Sequence, residues 1–310
     1  FGMGTFQADS DVLVDQEADF STLKLNEMAN LHVHWGGELA GENTRVADET
    51  EGDPNAGVYN IAEVLDKHRL RIQPNARANG RMSYSIGRRN YGKFRVANCD
   101  FYLLDTRSYR EVRNLQQPDE PGITMLGKPQ LEWLTNDMKN SDADFLFVVS
   151  TVNFMIPHMY RRQDLSEPLT KGEAWTVFLD EREKLFEFWD GLNKPVFLLS
   201  GDLHNSFAIK ITENIWEFAS APHSSSNHTI SAEGGHPATG IYKYGPRDSD
   251  IRWSTYVRED AAATSRRMPH YCVVQINNVF NNPLNVGVER LIAFEHPQVV
   301  FQFYDGLTGK

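Results

Sequence analysis

The chain is poor in the features that commit a sequence to several large protein classes. It has two cysteines, Cys99 and Cys272, in 310 residues, too few for a disulfide-stapled scaffold. Both lie in apolar, strand-like segments where a thiol packs as a small hydrophobe, and a single disulfide between them stays open. No window approaches eighteen uninterrupted apolar residues, so no segment reads as a membrane-spanning helix, and no signal peptide is recognisable. Positive charge is in deficit, with 31 Lys and Arg against 42 Asp and Glu and a formal net charge of −11. The basic pairs Arg161-Arg162 and Arg266-Arg267 are isolated, so the cationic face that nucleic-acid binding requires is missing. The length suits one large domain and one small one.

What the chain does have is concentrated in Lys194 to Ala208, where Pro-Val-Phe-Leu-Leu-Ser stops at Gly201-Asp202-Leu-His204. A short apolar run bounded by Pro195 and Gly201 reads as a buried strand of a parallel sheet, and a ligand site is expected beyond its C-terminal end. If the extended path continues, Asp202 and His204 point the same way. They offer a carboxylate oxygen and an imidazole nitrogen, a donor pair suited to iron, manganese, zinc or calcium. The plain alternative is an Asp turn followed by a surface His.

Other segments stand around it in a definite order. Tyr102-Leu-Leu-Asp105-Thr-Arg107-Ser-Tyr109-Arg110 is followed by Met125-Leu-Gly127-Lys-Pro-Gln130-Leu-Glu-Trp133-Leu and by Asn140-Ser141-Asp-Ala143. Glu173-Ala-Trp175 with Glu181-Arg182 comes next, and Ser200-Gly-Asp-Leu-His204 closes the series. These resemble the "LDTRSYR", "LGxxQxxWL", "xSxA", "DxWDGYxxER" and "SGDxH" blocks of the PhoD-like alkaline phosphatase family, within the calcineurin-like metallophosphoesterases. The resemblance runs from about residue 91 to 220.

It implies an α/β fold, a metallophosphoesterase-type β-sandwich flanked by helices, holding two or more metal ions (iron, calcium, manganese or zinc) and hydrolysing phosphate monoesters or diesters. It implies Asp202 and His204 as catalytic metal ligands. Arg107 and Arg110 are candidates to grip phosphate through bidentate hydrogen bonds; the alternative is a buried ion pair with Asp105. Asn153, His158 and His223 are candidates to line the substrate pocket, each against a plain loop role. The family's other ligands precede its "LDTR" block: a Cys- or Asp-bearing strand end, a Gly-Asp with a nearby Tyr, and a "DDHDxxxN"-type loop. None occurs before residue 100. The expectation is therefore the C-terminal part of a longer polypeptide, a proteolytic product, or a degenerate relative. Export to an extracellular or periplasmic space is implied by the resemblance alone.

Residues 1–90 read as a separate, small antiparallel β-module ahead of a phosphatase-like region over 91–310. Ser10 to Asp15, Asn30 to Trp35, Gly57 to Val64, His68 to Gln73 and Met82 to Ile86 alternate in polarity between turn-forming clusters. The expected role is contact with a partner or another copy of the chain. Leu31-His32-Val-His34-Trp35-Gly36 is similar to the zinc-binding "HFHWG" of α-carbonic anhydrases, but no third His follows in that pattern, so two His on a half-exposed strand is the preferred reading. Further along, helices are expected over Lys128 to Met138 and Thr176 to Trp189. Strands are expected over Cys99 to Leu104, Asp144 to Ser150, Trp216 to Ala221, Tyr271 to Asn277, Asn285 to Glu289, Leu291 to Phe294 and Val299 to Tyr304. Asn227 to Pro269, rich in Gly, Pro, Asp and Ser, reads as a long irregular excursion or lid.

Two functions compete. One is metal-dependent phosphoester hydrolysis completed by further sequence or a partner chain. The other is a catalytically silent surface or assembly protein that keeps the fold and uses the β-module for subunit contacts.

Overall fold

The computed structural model describes residues 2–23, 25, 29–34, 54–111, 117–157, 159–160, 169–170, 172–258, 261–277, 284–286, 289–291 and 296–310. It is mostly β-sheet with few helices. The chain divides into two compact units: one of Phe1–Gly92, Leu104–Trp133 and Val177–Glu181, the other of Lys93–Leu103, Leu134–Thr176 and Arg182–Lys310.

In the first unit, strands β1 (Gly2–Phe6), β2 (Val12–Val14), β3 (Ala29–Val33), β4 (Gly57–Asp66), β5 (Arg69–Gln73) and β6 (Gly80–Arg88) close into a barrel in the order β1-β2-β5-β4-β3-β6. Closure leaves no unpaired edge. The alternating segments of the sequence fall on β2 to β6, and their inward residues, among them Leu13, Leu31, Tyr59, Leu70, Ile72, Met82 and Tyr84, form one core with Phe6 of β1. β1 has no such alternation because two of its inward positions, Gly2 and Gly4, are glycines. A Cβ on Gly4 would lie 2.2 Å from Leu13 Cδ1, so the space its side chain would need is already filled. Inside the barrel Tyr84 donates to Asp15 at 2.6 Å, both residues being buried.

The second unit is built on an eight-stranded sheet. Its strands are β7 (Gly92–Val96), β8 (Cys99–Leu103), β9 (Phe145–Val149), β12 (Val196–Ser200), β13 (Phe207–Lys210), β14 (Ile215–Ala219), β15 (Gly240–Tyr244) and β16 (Arg247–Ser254), in the order β15-β16-β13-β14-β12-β9-β8-β7. Three two-stranded ribbons complete the β structure: β10 (Met159–Tyr160) with β11 (Leu169–Thr170), β17 (His270–Asn277) with β20 (Gln298–Asp305), and β18 (Leu284–Val286) with β19 (Glu289–Leu291). Helices α1 (Gly127–Asn140) and α2 (Leu179–Gly191) each begin in the first unit and end in the second.

The apolar run before Gly201 is a central strand. β12 lies between β9 and β14 and is parallel to both, which explains why its sequence is apolar without alternation. Phe101, Phe147, Phe197 and Leu199 pack with Ile276, Val299 and Phe301 of the β17–β20 ribbon. Asn227 to Pro269 is not an irregular lid: it contains the β15–β16 hairpin, and β16 pairs antiparallel with β13 at the sheet's edge. An edge hairpin carries polar residues at its exposed positions, so its composition resembles that of a loop. Cys99 and Cys272 are both free thiols, and no helix among the described residues is long and apolar enough to cross a membrane.

Candidate functional site

Parallel register aligns the ends of three strands in the second unit. Leu199 is level with Val149, and Ser200 with Ala219, so the loops after β9, β12 and β14 leave the same edge of the sheet, the place where open α/β sheets bind ligands. A buried carboxylate joins two of these loops. Glu217, on β14 and 0% exposed, accepts from Phe154 N at 2.7 Å, Met155 N at 3.1 Å and Ser200 Oγ at 2.8 Å. Burial pushes its carboxyl up to about 7, against the lowering effect of those hydrogen bonds. Arg182, also 0% exposed, donates to Phe154 O at 3.1 Å and Tyr244 O at 3.1 Å and pairs with Glu183 at 2.7 Å.

Beyond Ser200 the extended path ends at once. Leu203 N donates to Gly201 O at 2.9 Å, closing a three-residue turn around Asp202, whose φ is 72°. The extended path that would put Asp202 and His204 on one strand face is therefore interrupted by a left-handed residue at the exposed Asp202. A non-glycine residue held at positive φ costs about 1–3 kcal/mol and is kept where surrounding structure over-determines it, commonly at functional sites. The residues after His204 are firmly held. Ser206 N donates to Thr255 Oγ1 at 2.9 Å, Ser206 Oγ donates to Ala221 O at 2.9 Å, and Asn205 Nδ2 donates to His228 O at 3.2 Å.

His204 is half-buried, and its Nδ1 meets Ser225 Oγ at 3.0 Å. Its ring centroid is 4.3 Å from that of His228 at 38° between planes, and His228 Nδ1 contacts the buried carboxylate of Glu233. The sequence singles out neither His228 nor Glu233. Glu217 carries a signal, a lone charge inside Ile-Trp-Glu-Phe-Ala, whereas the His228–Glu233 pair depends on loop geometry that has no period.

Asn153 is 1% exposed and donates to Ile156 O within its own loop; its Oδ1 has no partner among the described residues. His223 is exposed on the loop after β14, and His158 lies outside the described residues. Arg107 and Arg110 belong to the first unit, Arg107 exposed and Arg110 7% exposed. One oxygen of the buried Asp105 carboxylate is taken up by the backbone. Its Oδ1 accepts Arg107 N and Ser108 N, each at 2.9 Å, an Asx turn that orders the loop.

The motif blocks carry this scaffolding. Gln130 accepts from Asp105 N at 2.8 Å and donates to Asp105 O at 2.9 Å. Glu181 accepts Met125 N at 3.1 Å and Leu126 N at 3.2 Å, just before α1, and burial pushes its carboxyl up to about 7. Ser141 donates to Asp100 at 2.6 Å.

Asp202 and His204 offer the correct donor types for a metal ion, yet among the described residues no three His, Cys, Asp or Glu side chains converge to hold one. His34, in the strand resembling the carbonic anhydrase motif, instead meets Ser83 Oγ at 3.2 Å and Ser85 Oγ at 3.1 Å, as a half-exposed strand His would.

Alkaline phosphatase D of Bacillus subtilis (strain 168) is 30% identical over 128 residues, which are 38% of this chain and 21% of that protein. A solved structure described as "Structure of PhoD" is matched over 71% of this chain and 42% of that chain, at 18% identity and a TM-score of 0.39. The chain thus spans about a fifth of the one relative's length and less than half of the other's. The family model for PhoD-like phosphatase matches residues 72–262, more than half of the chain, and the chain belongs to that family.

Proposed function

We propose that this chain is the Asp202- and His204-bearing part of a metal-dependent hydrolase of phosphate monoesters or diesters. The observation that carries the reading is the strained turn at the C-terminal end of β12, which presents an exposed carboxylate beside a half-buried imidazole where three parallel strands end.

In this reading Asp202 and His204 are two of the ligands, and the others come from polypeptide not contained in this chain, since two groups alone cannot hold metal ions against water. A bound metal would supply charge neutralisation of the phosphate and an acidified water. Glu217, through Ser200 and the 154–155 amides, fixes the loops around the ligands. Arg107, exposed on an Asx turn, serves as a phosphate clamp, where a guanidinium fork matches two phosphate oxygens. Asn153 keeps its own loop in place, and His223 is accessible to a substrate. The barrel of β1–β6 serves as a contact module for a partner or a second copy, and the family resemblance favours export. Hydrolysis of p-nitrophenyl esters by the completed polypeptide, with and without chelator, tests the proposal. A completed protein that is folded but inert with every metal would support the catalytically silent reading instead.

A further inference from the structure

Resting on the proposed site only for its effect on turnover, we propose that His236 is an acid-sensitive latch: neutral, it pins the loop of residues 234–239, and protonated, it releases that loop and loosens the His228–Glu233 pair beside His204. Three observations converge. Between Gly234 and Thr239 His236 is the only buried residue, 1% exposed, whereas Gly234, Gly235, Pro237 and Thr239 are exposed. One side chain thus anchors an otherwise solvated stretch. Its ring lies nearly perpendicular to that of Tyr256, with centroids 4.3 Å apart at 83°, and 5.5 Å from that of Tyr242 at 63°. Finally, Nδ1 donates to Pro237 O at 2.8 Å, which puts the lone pair on Nε2, and Nε2 is buried with no hydrogen-bond partner among the described residues. A proton taken up there makes a buried cation without an acceptor, a costly state.

The loop is coupled to the site through backbone. Gly234 and Gly235, at φ 83° and 72°, join it to the 3-10 turn Ile230–Glu233, and Gly235 N donates to Ile230 O at 3.0 Å. The groups around the imidazole do not offset a positive charge. Tyr242, on β15, and Tyr256, after β16, are phenols that burial holds protonated well above their usual range. Glu233, Glu217, Arg182 and Tyr244 act electrostatically on those phenols, but among the described residues no charged side chain hydrogen-bonds to His236. Burial therefore lowers the folded imidazole below its ordinary 6.5, with the Pro237 carbonyl opposing. A folded pKa below the released one means that the hold is complete above about 6.5 and is lost as pH falls through the folded value. The plainer reading is a core histidine whose protonation weakens the whole unit alike.

Hydrogen exchange of the 310-residue chain, corrected for the intrinsic pH dependence of amide exchange, separates the two. Between pH 7.5 and pH 5.5 protection of residues 229–240, read at the Gly235 amide, is expected to fall by up to about tenfold, the excess of protonated over neutral imidazole at the lower pH for an ordinary histidine. Strands β9, β12 and β14 are expected to keep their protection, because the raised Glu181 and Glu217 carboxyls stabilise the fold over the same interval. His236→Phe, which fills the site and takes up no proton, is expected to hold the loop equally at both pH values. If it does not fold, His236→Leu serves in its place. No pH effect in the wild type, the same effect in the folded variant, or an equal loss across the central strands overturns the inference. In the restored hydrolase the variant should retain more of its pH 7.5 turnover at pH 5.5 than the wild type, and equal retention overturns the link to the site. Loop exchange that behaves as expected in a restored protein without turnover sustains the latch and counts only against the hydrolase reading.

Discussion

The turn at Asp202 gives the sharpest test of the site geometry, through Asp202→Gly and Asp202→Val. Both variants remove the carboxylate from an exposed position, so burial contributes little and the difference between them reports the backbone. At φ 72° an aspartate bears a left-handed penalty near the low end of about 1–3 kcal/mol. Glycine relieves that strain but widens the unfolded ensemble by about 0.5–1 kcal/mol, leaving Asp202→Gly within about 0.5 kcal/mol of the wild type. A β-branched side chain is a genuine outlier at positive φ and adds about 1–2 kcal/mol beyond the aspartate. The two variants should therefore differ by about 2 kcal/mol in urea unfolding followed by tryptophan fluorescence, glycine being the more stable. An extended path through Asp202 predicts the reverse order, because strands favour valine and disfavour glycine. Equal stabilities, or a more stable Asp202→Val, would refute the turn.

Other perturbations probe the scaffold. Burial raises the Glu181 and Glu217 carboxyls from 4.5 to about 7, so the folded state holds protons that the unfolded state has lost between those values. Their contribution is complete below about 4.5 and is lost as pH rises through about 7. The urea midpoint should accordingly rise between pH 7 and pH 5, and Glu217→Gln should flatten that slope. Asp100 is 0% exposed and takes hydrogen bonds from Arg95 at 2.6 and 2.9 Å and from Ser141 at 2.6 Å, with Lys93 at 3.1 Å. Burial alone would raise its pKa, but these donors outweigh burial and hold it well below the usual carboxylate range. Asp100→Asn should cost about 3 kcal/mol at pH 7, as breaking a buried pair does, with the difference shrinking under acid as the wild-type carboxylate is protonated. In a zinc titration against a chromogenic chelator, the chain with His32 and His34 both replaced by Ala should give the same curve as the wild type, whereas zinc binding by the wild type that the double substitution removes would revive the carbonic anhydrase-like reading of that strand.

Much of this architecture is legible in the sequence because it obeys simple periods. Val196 to Leu199 is apolar throughout because both faces of this central strand are covered, Phe197 and Leu199 by the β17–β20 ribbon and Val196 and Leu198 by the core, and β2 to β6 alternate because one face lines a barrel. β1 escapes such a reading, since Gly2 and Gly4 leave their inward space to Tyr84 and Leu13. The β15–β16 hairpin escapes it because polar residues at an exposed sheet edge look like loop. At the site, Gly201-Asp202-Leu-His204 marks the location, but the left-handed turn depends on the Leu203 to Gly201 hydrogen bond, and no residue type announces it. Asp105 likewise suggests an ion pair by its spacing from Arg107, whereas the two backbone amides that one of its oxygens accepts are a matter of turn geometry that the spacing does not announce.

The proposed metal-dependent hydrolysis is tested most directly with p-nitrophenyl phosphate and bis(p-nitrophenyl) phosphate, given to the 310-residue chain and to the polypeptide restored with the upstream half of a PhoD-like phosphatase. Negligible turnover is expected of the chain alone. The restored protein should show turnover that a chelator stops, that Asp202→Ala and His204→Ala each abolish without unfolding, and in which Arg107→Ala mainly raises KM. Robust turnover by the chain alone that survives the chelator and both substitutions would contradict the metal-dependent reading.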